Sequence, residues 1–336
     1  MGGVAGPRRL LTPRENRPGG GDDGPCPPPG LQRSASGRVN GMTTATADEF
    51  ETHRPRLFGL AYRMLGSAQE AEDAVQDAYL RFSAADRTEI ARPSAWLAKV
   101  VTNLCLSRLT SARARREEYV GEWLPEPVLT SDGALGPLES AEQRDSVSLA
   151  MLVLLERLTP TERAVFVLRE AFAYGHREIA EALELTEANC RQLYRRAVRR
   201  VGEPESRFEA EPKRREELVE SFISAAREGD VVALEKLLAA DVTWTGDGGG
   251  KVSAARRPIE GRDHVFRFLV GSRRTFLAGV EFSAVEVNGA MGMAAWLDST
   301  LISVVAFETR DGVITHARAV VNPEKLGFVS RQLARA

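Results

Sequence analysis

Two all-helical domains followed by an α+β domain are what the sequence predicts, on three observations. Apolar residues recur at spacings of three, four and seven through 47–118 and again through 139–202. Between these runs, 119–138 holds three Pro and three Gly and keeps no period. Beyond Lys213 the period shifts toward strict alternation, punctuated by Asn288-Gly289 and Asp311-Gly312, both hairpin-turn pairs. The expected division is an N-terminal extension (1–45), a first helical domain (46–118), a linker (119–138), a second helical domain (139–202), a second linker (203–213) and the α+β domain (214–330).

Residues 1–41 hold 10 Gly and 7 Pro among few large aliphatics, a composition that cannot build a core, so disorder is expected. Met42 is a candidate alternative start. In the first domain Phe50, Leu57, Phe58, Ala61, Met64 and Leu65 form one apolar stripe. Gly66-Ser67 breaks that helix, and Ser67 with Glu70 offers a capping box for the next. There Ala71, Val75, Ala78 and Phe82 face inward, while Glu72, Asp73, Gln76 and Asp77 form an acidic outer face. Pro93 opens a third helix carrying Leu97, Val100, Val101 and Leu104 inward and ending in the basic run 111–116. In the third domain two amphipathic helices (Leu218, Phe222, Ala226; then Val231, Leu234, Leu237, Leu238) precede a strand at 241–245, a helix at 263–269 and two hairpins.

Composition narrows the function. Net charge is −2 over 336 residues, so nucleic-acid binding has to come from local clusters of arginine. No run approaches the roughly 18 apolar residues of a membrane span, and no apolar signal-peptide core opens the chain. Cys26, Cys105 and Cys190 with four scattered histidines give no metal-ligand spacing and no disulfide framework. A cytoplasmic protein without metal or cofactor is expected.

The second helical domain carries the clearest chemistry. Thr159, Pro160 and Glu162 begin a helix with a cap, a proline at its first position and a capping-box acid. A short helix at 177–183, a turn at 184–186 and a longer helix from Glu187 to about Val201 have helix-turn-helix spacing. At 100° per residue Cys190, Leu193, Tyr194 and Ala197 share one face of the longer helix. Asn189, Arg191, Gln192, Arg195, Arg199 and, at the edge, Arg196 lie away from it. Arginine and glutamine bond base edges in bidentate fashion, and arginine also neutralises phosphate. A solvated basic face would show the same pattern; the cap, the support helix and the turn favour DNA.

With the first domain, these residues resemble a bacterial sigma factor of the extracytoplasmic-function type. The motif Ala71-Glu-Asp-Ala-Val-Gln-Asp-Ala-Tyr-Leu-Arg81 is similar to the sigma region that grips the RNA polymerase clamp. The resemblance assigns that contact to Glu72, Asp73, Gln76 and Asp77. The stretch Ala95–Leu104 and its basic tail look like the region that recognises and melts the downstream promoter element, which implicates Lys99, Asn103, Arg113, Arg115 and Arg116. The helix-turn-helix then corresponds to the domain reading the upstream element. Ser107 departs from the pattern, since many members are acidic there. Trp96 reads as a packing residue and not as a melting wedge.

The extra C-terminal domain resembles the SnoaL-like and ketosteroid isomerase superfamily, a cone of curved sheet and helices around a pocket. Three motifs sharpen this to the SigJ type of sigma factor with a fused SnoaL-like extension. They are Trp123-Leu124-Pro125-Glu126-Pro127, Asp247-Gly248-Gly249-Gly250-Lys251 and Asn322-Pro323-Glu324-Lys325-Leu326. In that group the extension is understood as a built-in regulator replacing a separate anti-sigma protein. The glycine run is no phosphate loop, because Thr245 and Val252 stand where glycine and Ser or Thr are needed. Ketosteroid isomerases use a tyrosine donor, yet all five tyrosines lie at or before Tyr194, so the domain is expected not to be an enzyme. The motifs are expected to meet: Trp123–Pro127 against Asp247–Lys251 and Asn322–Leu326, with Lys251 paired to Glu126. The expected partners are core RNA polymerase, promoter DNA and a possible small ligand in the pocket, with no membrane. A ligand-responsive helix-turn-helix repressor and a SnoaL-like isomerase or cyclase tethered to DNA are the alternatives. Copurification with core polymerase separates the first, and turnover by the third domain the second.

Overall fold

The computed structural model describes residues 36–131, 133–136, 138, 141–202, 212–276 and 279–335, the side chains of 36–45, 112–117, 141, 212 and 273–276 excepted. Helices α1 (Ser36–Leu65), α2 (Ala68–Ala84) and α3 (Pro93–Glu117) form the first helical unit. The apolar stripes converge: Phe50, Leu57, Met64 and Leu65 of α1 are buried with Val75 and Phe82 of α2 and Leu97 and Val101 of α3. Trp96 packs on Phe82, ring centroids 5.9 Å apart. One expectation needs correcting. Residues 36–45, assigned to a disordered extension, continue α1, since propagating an existing helix costs far less than nucleating one. Residues 1–35 lie outside the described ones.

The second unit comprises α4 (Ala141–Asp145), α5 (Leu149–Leu155), α6 (Pro160–Glu170), α7 (His176–Leu183) and α8 (Glu187–Val201). Thr159 and Glu162 complete a reciprocal capping box at α6, with Pro160 at the first position. Arg163, only 3% exposed, donates to the Met64 carbonyl and to Glu156, each at 2.8 Å, and so fixes α6 to the end of α1.

The third unit runs α9 (Pro212–Glu228), α10 (Val231–Lys236), β1 (Leu238–Asp247), β2 (Ile259–Glu260), α11 (Arg262–Phe276), β3 (Glu281–Val287), β4 (Ala290–Leu297), β5 (Thr300–Arg310), β6 (Val313–Val320), α12 (Pro323–Leu333). One sheet is ordered β2-β1-β6-β5-β4-β3, antiparallel except for the β1–β6 pair. Asn288 and Gly289, and Asp311 and Gly312, all have positive φ, as tight hairpin turns of the primed type require. Leu238, expected to end a helix, starts β1. The terminal helix α12 lies where the sequence suggested only a strand-ending turn; Asn322 caps it and Pro323 takes its first position.

Alternation gives the sheet two apolar faces. Val285, Val287, Ala294 and Val304 belong to one hydrophobic cluster with α1 and the second helical unit. Met293, Val305 and Ala319 face α9, α10 and α11 and help line a cavity of about 830 Å³.

Candidate nucleic-acid interface and linker clasp

The helix-turn-helix is built by short-range signals. Glu184 adopts the left-handed conformation at the end of α7, and Thr186 caps α8 by accepting the Asn189 amide at 3.2 Å. Cys190 and Ala197 are fully buried, and Leu193 and Tyr194 half-buried, against the support helices. Asn189, Arg191, Gln192, Arg195, Arg196 and Arg199 are all exposed. Arg191 is held by Glu187 one turn earlier. Among the described residues, Gln192, Arg195, Arg196 and Arg199 make no side-chain hydrogen bond or ion pair, which leaves their donors available to a ligand.

His176 opens α7 edge-on to the Tyr194 ring, centroids 5.4 Å apart, with Nδ1 3.8 Å from Cys190 Sγ. Burial, and then the charge of Arg169, hold its pKa below the ordinary value; burial does the same for His316. A histidine pKa lowered by folding means the neutral form is the one the fold favours. Stability is therefore full above the unfolded pKa and is lost as pH falls through the folded one. The melting temperature should accordingly fall between pH about 7.5 and about 5.5, spanning the histidine range. Replacing both residues (His176→Gln with His316→Gln) should flatten that slope; an unchanged slope would assign it to other groups.

On α2, Glu72, Asp73 and Gln76 are exposed and Asp77 half-buried. The acidic face is not bare. Arg108 of α3 donates to Asp77 at 2.7 Å and lies 3.7 Å from Asp73, while Arg331 of α12 reaches Glu72 at 3.5 Å. On α3, Asn103 is exposed and Lys99 pairs with Glu184 in the helix-turn-helix turn at 3.3 Å. The side chains of Arg113, Arg115 and Arg116 lie outside the described residues.

The linker between the helical units is extended, and its two prolines explain its conformation. Pro125 and Pro127 lack an N–H and fix φ, and every amide from 124 to 130 that does have an N–H is bonded outside the linker. The Leu124 amide donates to Asp247 at 2.8 Å, Glu126 to the Gly66 carbonyl at 2.9 Å and Val128 to Asn288 Oδ1 at 3.1 Å. Leu129 donates to Gln332 Oε1 at 2.9 Å and Thr130 to the Glu286 carbonyl at 3.0 Å. One edge of the linker is thus held by the first helical unit and the other by the sheet domain.

Asp247, fully buried, is the hub. Its carboxylate accepts from Lys325 Nζ (2.6 Å), Tyr119 Oη (2.5 Å), and the Leu124 and Gly249 amides. Lys325 donates also to the Leu124 carbonyl at 2.6 Å and lies over the rings of Trp123 (4.3 Å) and Tyr119 (4.6 Å). Asn322 completes the group by donating to Tyr119 Oη at 2.8 Å. Gly249 and Gly250 take positive φ, and a Cβ on Gly249 would collide with the Asn322 amide. Trp123 is half-buried, with its ring edge 2.8 Å from where a Cβ on Gly66 would sit. Tyr119 has its phenol pKa pushed up by burial and by the Asp247 carboxylate.

The structure corrects one pairing. Lys251 pairs with Glu324, both exposed, at 3.0 Å, and not with Glu126. Glu126 instead takes the Ser67 hydroxyl (2.7 Å) and the Ala68 and Gln69 amides (2.9 and 3.1 Å). The start of α2 supplies unpaired amides and the positive end of the helix dipole, a better site for a half-buried carboxylate than one exposed ammonium. Burial raises the Glu126 pKa, and these three hydrogen bonds oppose the rise.

Several contributors carried no sequence signal. Asn288 shapes a hairpin turn but, at 2% exposure, also donates to Tyr62 Oη (2.7 Å) and the Val147 carbonyl (2.8 Å). Phe328 of α12 stacks on Phe58 of α1 at 5.5 Å. Tyr119, at the start of the linker, belongs to none of the three motifs.

A helix-turn-helix with an exposed arginine face, joined to a second helical unit, defines a class of promoter-reading DNA-binding proteins. The Sigma-70 region 2 family matches residues 50–115, and Sigma-70, region 4 matches 148–201. The chain is 39% identical over 288 residues to the ECF RNA polymerase sigma factor SigJ of Mycobacterium tuberculosis, covering 82% of this chain and 92% of that one. It is 31% identical over 287 residues to the probable ECF RNA polymerase sigma factor SigI of the same organism, covering 84% and 96%. The crystal structure of Mycobacterium tuberculosis SigJ superposes with a TM-score of 0.67 at 35% identity, over 83% of this chain and 98% of that one. The chain belongs to the ECF RNA polymerase sigma factor family.

Proposed function

We propose that this chain binds core RNA polymerase in the cytoplasm, directs it to promoters, and is restrained by its own C-terminal domain. Region 4 reads the upstream element through Arg191, Gln192, Arg195, Arg196 and Arg199, with Asn189 at the start of the helix. Region 2 meets the polymerase through Glu72, Asp73, Gln76 and Asp77, and the downstream element through Lys99, Asn103 and the basic end of α3. The observation that carries the regulatory part is the docked linker, bonded to buried Asp247 and Lys325, together with buried Arg163 of the second helical unit on the Met64 carbonyl of the first. Promoter DNA rises ~3.4 Å per base pair, so an upstream and a downstream element are presented to the two units at separate places along the duplex. Reading both requires these units to separate and the linker to leave Asp247. In this reading the C-terminal domain acts as a regulator through the contacts that Asp247 and Lys325 make with the linker.

Run-off transcription with purified core enzyme tests the reading: promoter-selective product is expected, and its absence, with no copurification of core enzyme, would return the repressor alternative. Arg195→Ala should cost roughly 1–3 kcal/mol of discrimination between cognate and mutated promoter DNA. Unchanged selectivity would make this face merely solvated. For the polymerase contact, Gln76→Lys is a cleaner test than reversing Asp73 and Asp77. Those two hold Arg108, so their reversal also disturbs the α2–α3 packing.

A further inference from the structure

The cavity of the C-terminal domain has a chemistry that restricts what it can hold. Its floor is the concave side of the sheet, where Ala295 pairs with Ser303 and Met293 with Val305. Phe222 of α9 and Phe268 of α11 close the opposite side, with Trp244 between. At about 830 Å³ it lies near the upper end of small-molecule sites. Its one charged lining residue among those described is Arg227, at the exposed rim, where the guanidinium is already bonded to the Phe282 carbonyl. Deep in the wall the notable polar group is the Ser303 hydroxyl, on a residue 8% exposed. Among the described residues that hydroxyl makes no hydrogen bond, which leaves it free to pair with a polar group of a ligand in the cavity.

We propose that this cavity binds an uncharged hydrophobic small molecule with a single hydroxyl or carbonyl group directed at Ser303, and that its occupancy is transmitted to the linker through Asp247 and Lys325. The wall and the hub are continuous in the chain. Gly246, which lines the cavity, immediately precedes Asp247, and Val252–Ala255 follow the glycine loop. Pro323 and Leu326 flank the turn of α12 that carries Lys325. A ligand therefore touches the backbone segments on both sides of the 2.6 Å Lys325–Asp247 pair. Leu326 also belongs to the cluster shared with the helical units. Any ligand that fits the linker-bound and linker-released states unequally shifts the balance between them. This transmission rests on the regulatory reading above; the binding does not.

The experiment uses the full chain and two probes, the neutral dye Nile red and a decanol, decanoate and decylamine series. Nile red should bind one to one with a blue-shifted emission. Decanol should displace it at least about tenfold better than either charged analogue, since neither charge finds a partner in the apolar wall. Ala295→Phe, which fills the cavity, should weaken Nile red binding at least about tenfold. Ser303→Ala, nearly isosteric and therefore safe for folding, should weaken decanol several-fold while leaving Nile red unchanged. Unaltered binding of both probes in both variants, or equal displacement by the charged analogues, would overturn the site. Hydrogen exchange at the Leu124, Glu126 and Val128 amides should change when decanol saturates the wild type. Saturation without any change there would overturn the transmission. It would leave the regulatory reading standing, because that reading is tested without ligand by substituting Lys325.

Discussion

Lys325→Met is expected to destabilise the closed arrangement by about 3–5 kcal/mol, the usual cost of removing one partner from a buried ion pair. The reason lies less in the lost attraction than in what remains. Asp247 is fully buried, and without the ammonium its carboxylate keeps only the Tyr119 hydroxyl and two amides. The Leu124 carbonyl loses its partner in the same step. Urea unfolding should show an earlier transition, and limited proteolysis should cut within 119–131. The double variant Asp247→Asn with Lys325→Met should recover much of the loss, because it removes the stranded charge as well. Promoter-dependent transcription should rise in Lys325→Met if the clasp restrains the factor. Wild-type stability together with a protected linker would show that the pair holds nothing.

Asn288 should be the second largest single-residue effect. Its side chain bonds Val128, Tyr62 and Val147, which belong to the linker, α1 and the turn between α4 and α5. Asn288→Gly keeps the positive φ of the turn and deletes all three contacts, leaving buried backbone groups unpaired. A loss of about 2–5 kcal/mol is expected. Asn288→Asp should be worse at neutral pH, because it presents a carboxylate to the Val147 carbonyl, which cannot donate. Thermal melts of the two variants check this order. If Asn288→Gly melts with the wild type, the residue serves the hairpin alone.

The helices, caps and turns were legible because their signals are local. Thr159 and Glu162, Thr186 and Asn189, and the Asn288-Gly289 pair each act within three residues of one another. The exposed arginine face of α8 followed from the helical period alone. The helix α12 was missed because Asn322-Pro323 reads equally well as a turn, and the apolar residues after it are few. The meeting of the three motifs was expected from their unusual composition, but the pairings within it were not all legible. Lys251 and Lys325 are both lysines near an acid in sequence, and only burial distinguishes the exposed pair with Glu324 from the buried one with Asp247.

The sequence by itself thus determined most of the helices and strands, which face of each is apolar, and which helix carries an exposed row of arginines. These properties depend on residue spacing and on the conformations that individual residues allow. Only the tertiary structure decided that Glu126 caps α2, that Asn288 joins three elements, and that Arg331 pairs with Glu72 and Lys99 with Glu184. Those choices depend on how elements distant in the chain dock, and a buried donor or acceptor takes whichever partner the docked surfaces bring within about 3 Å.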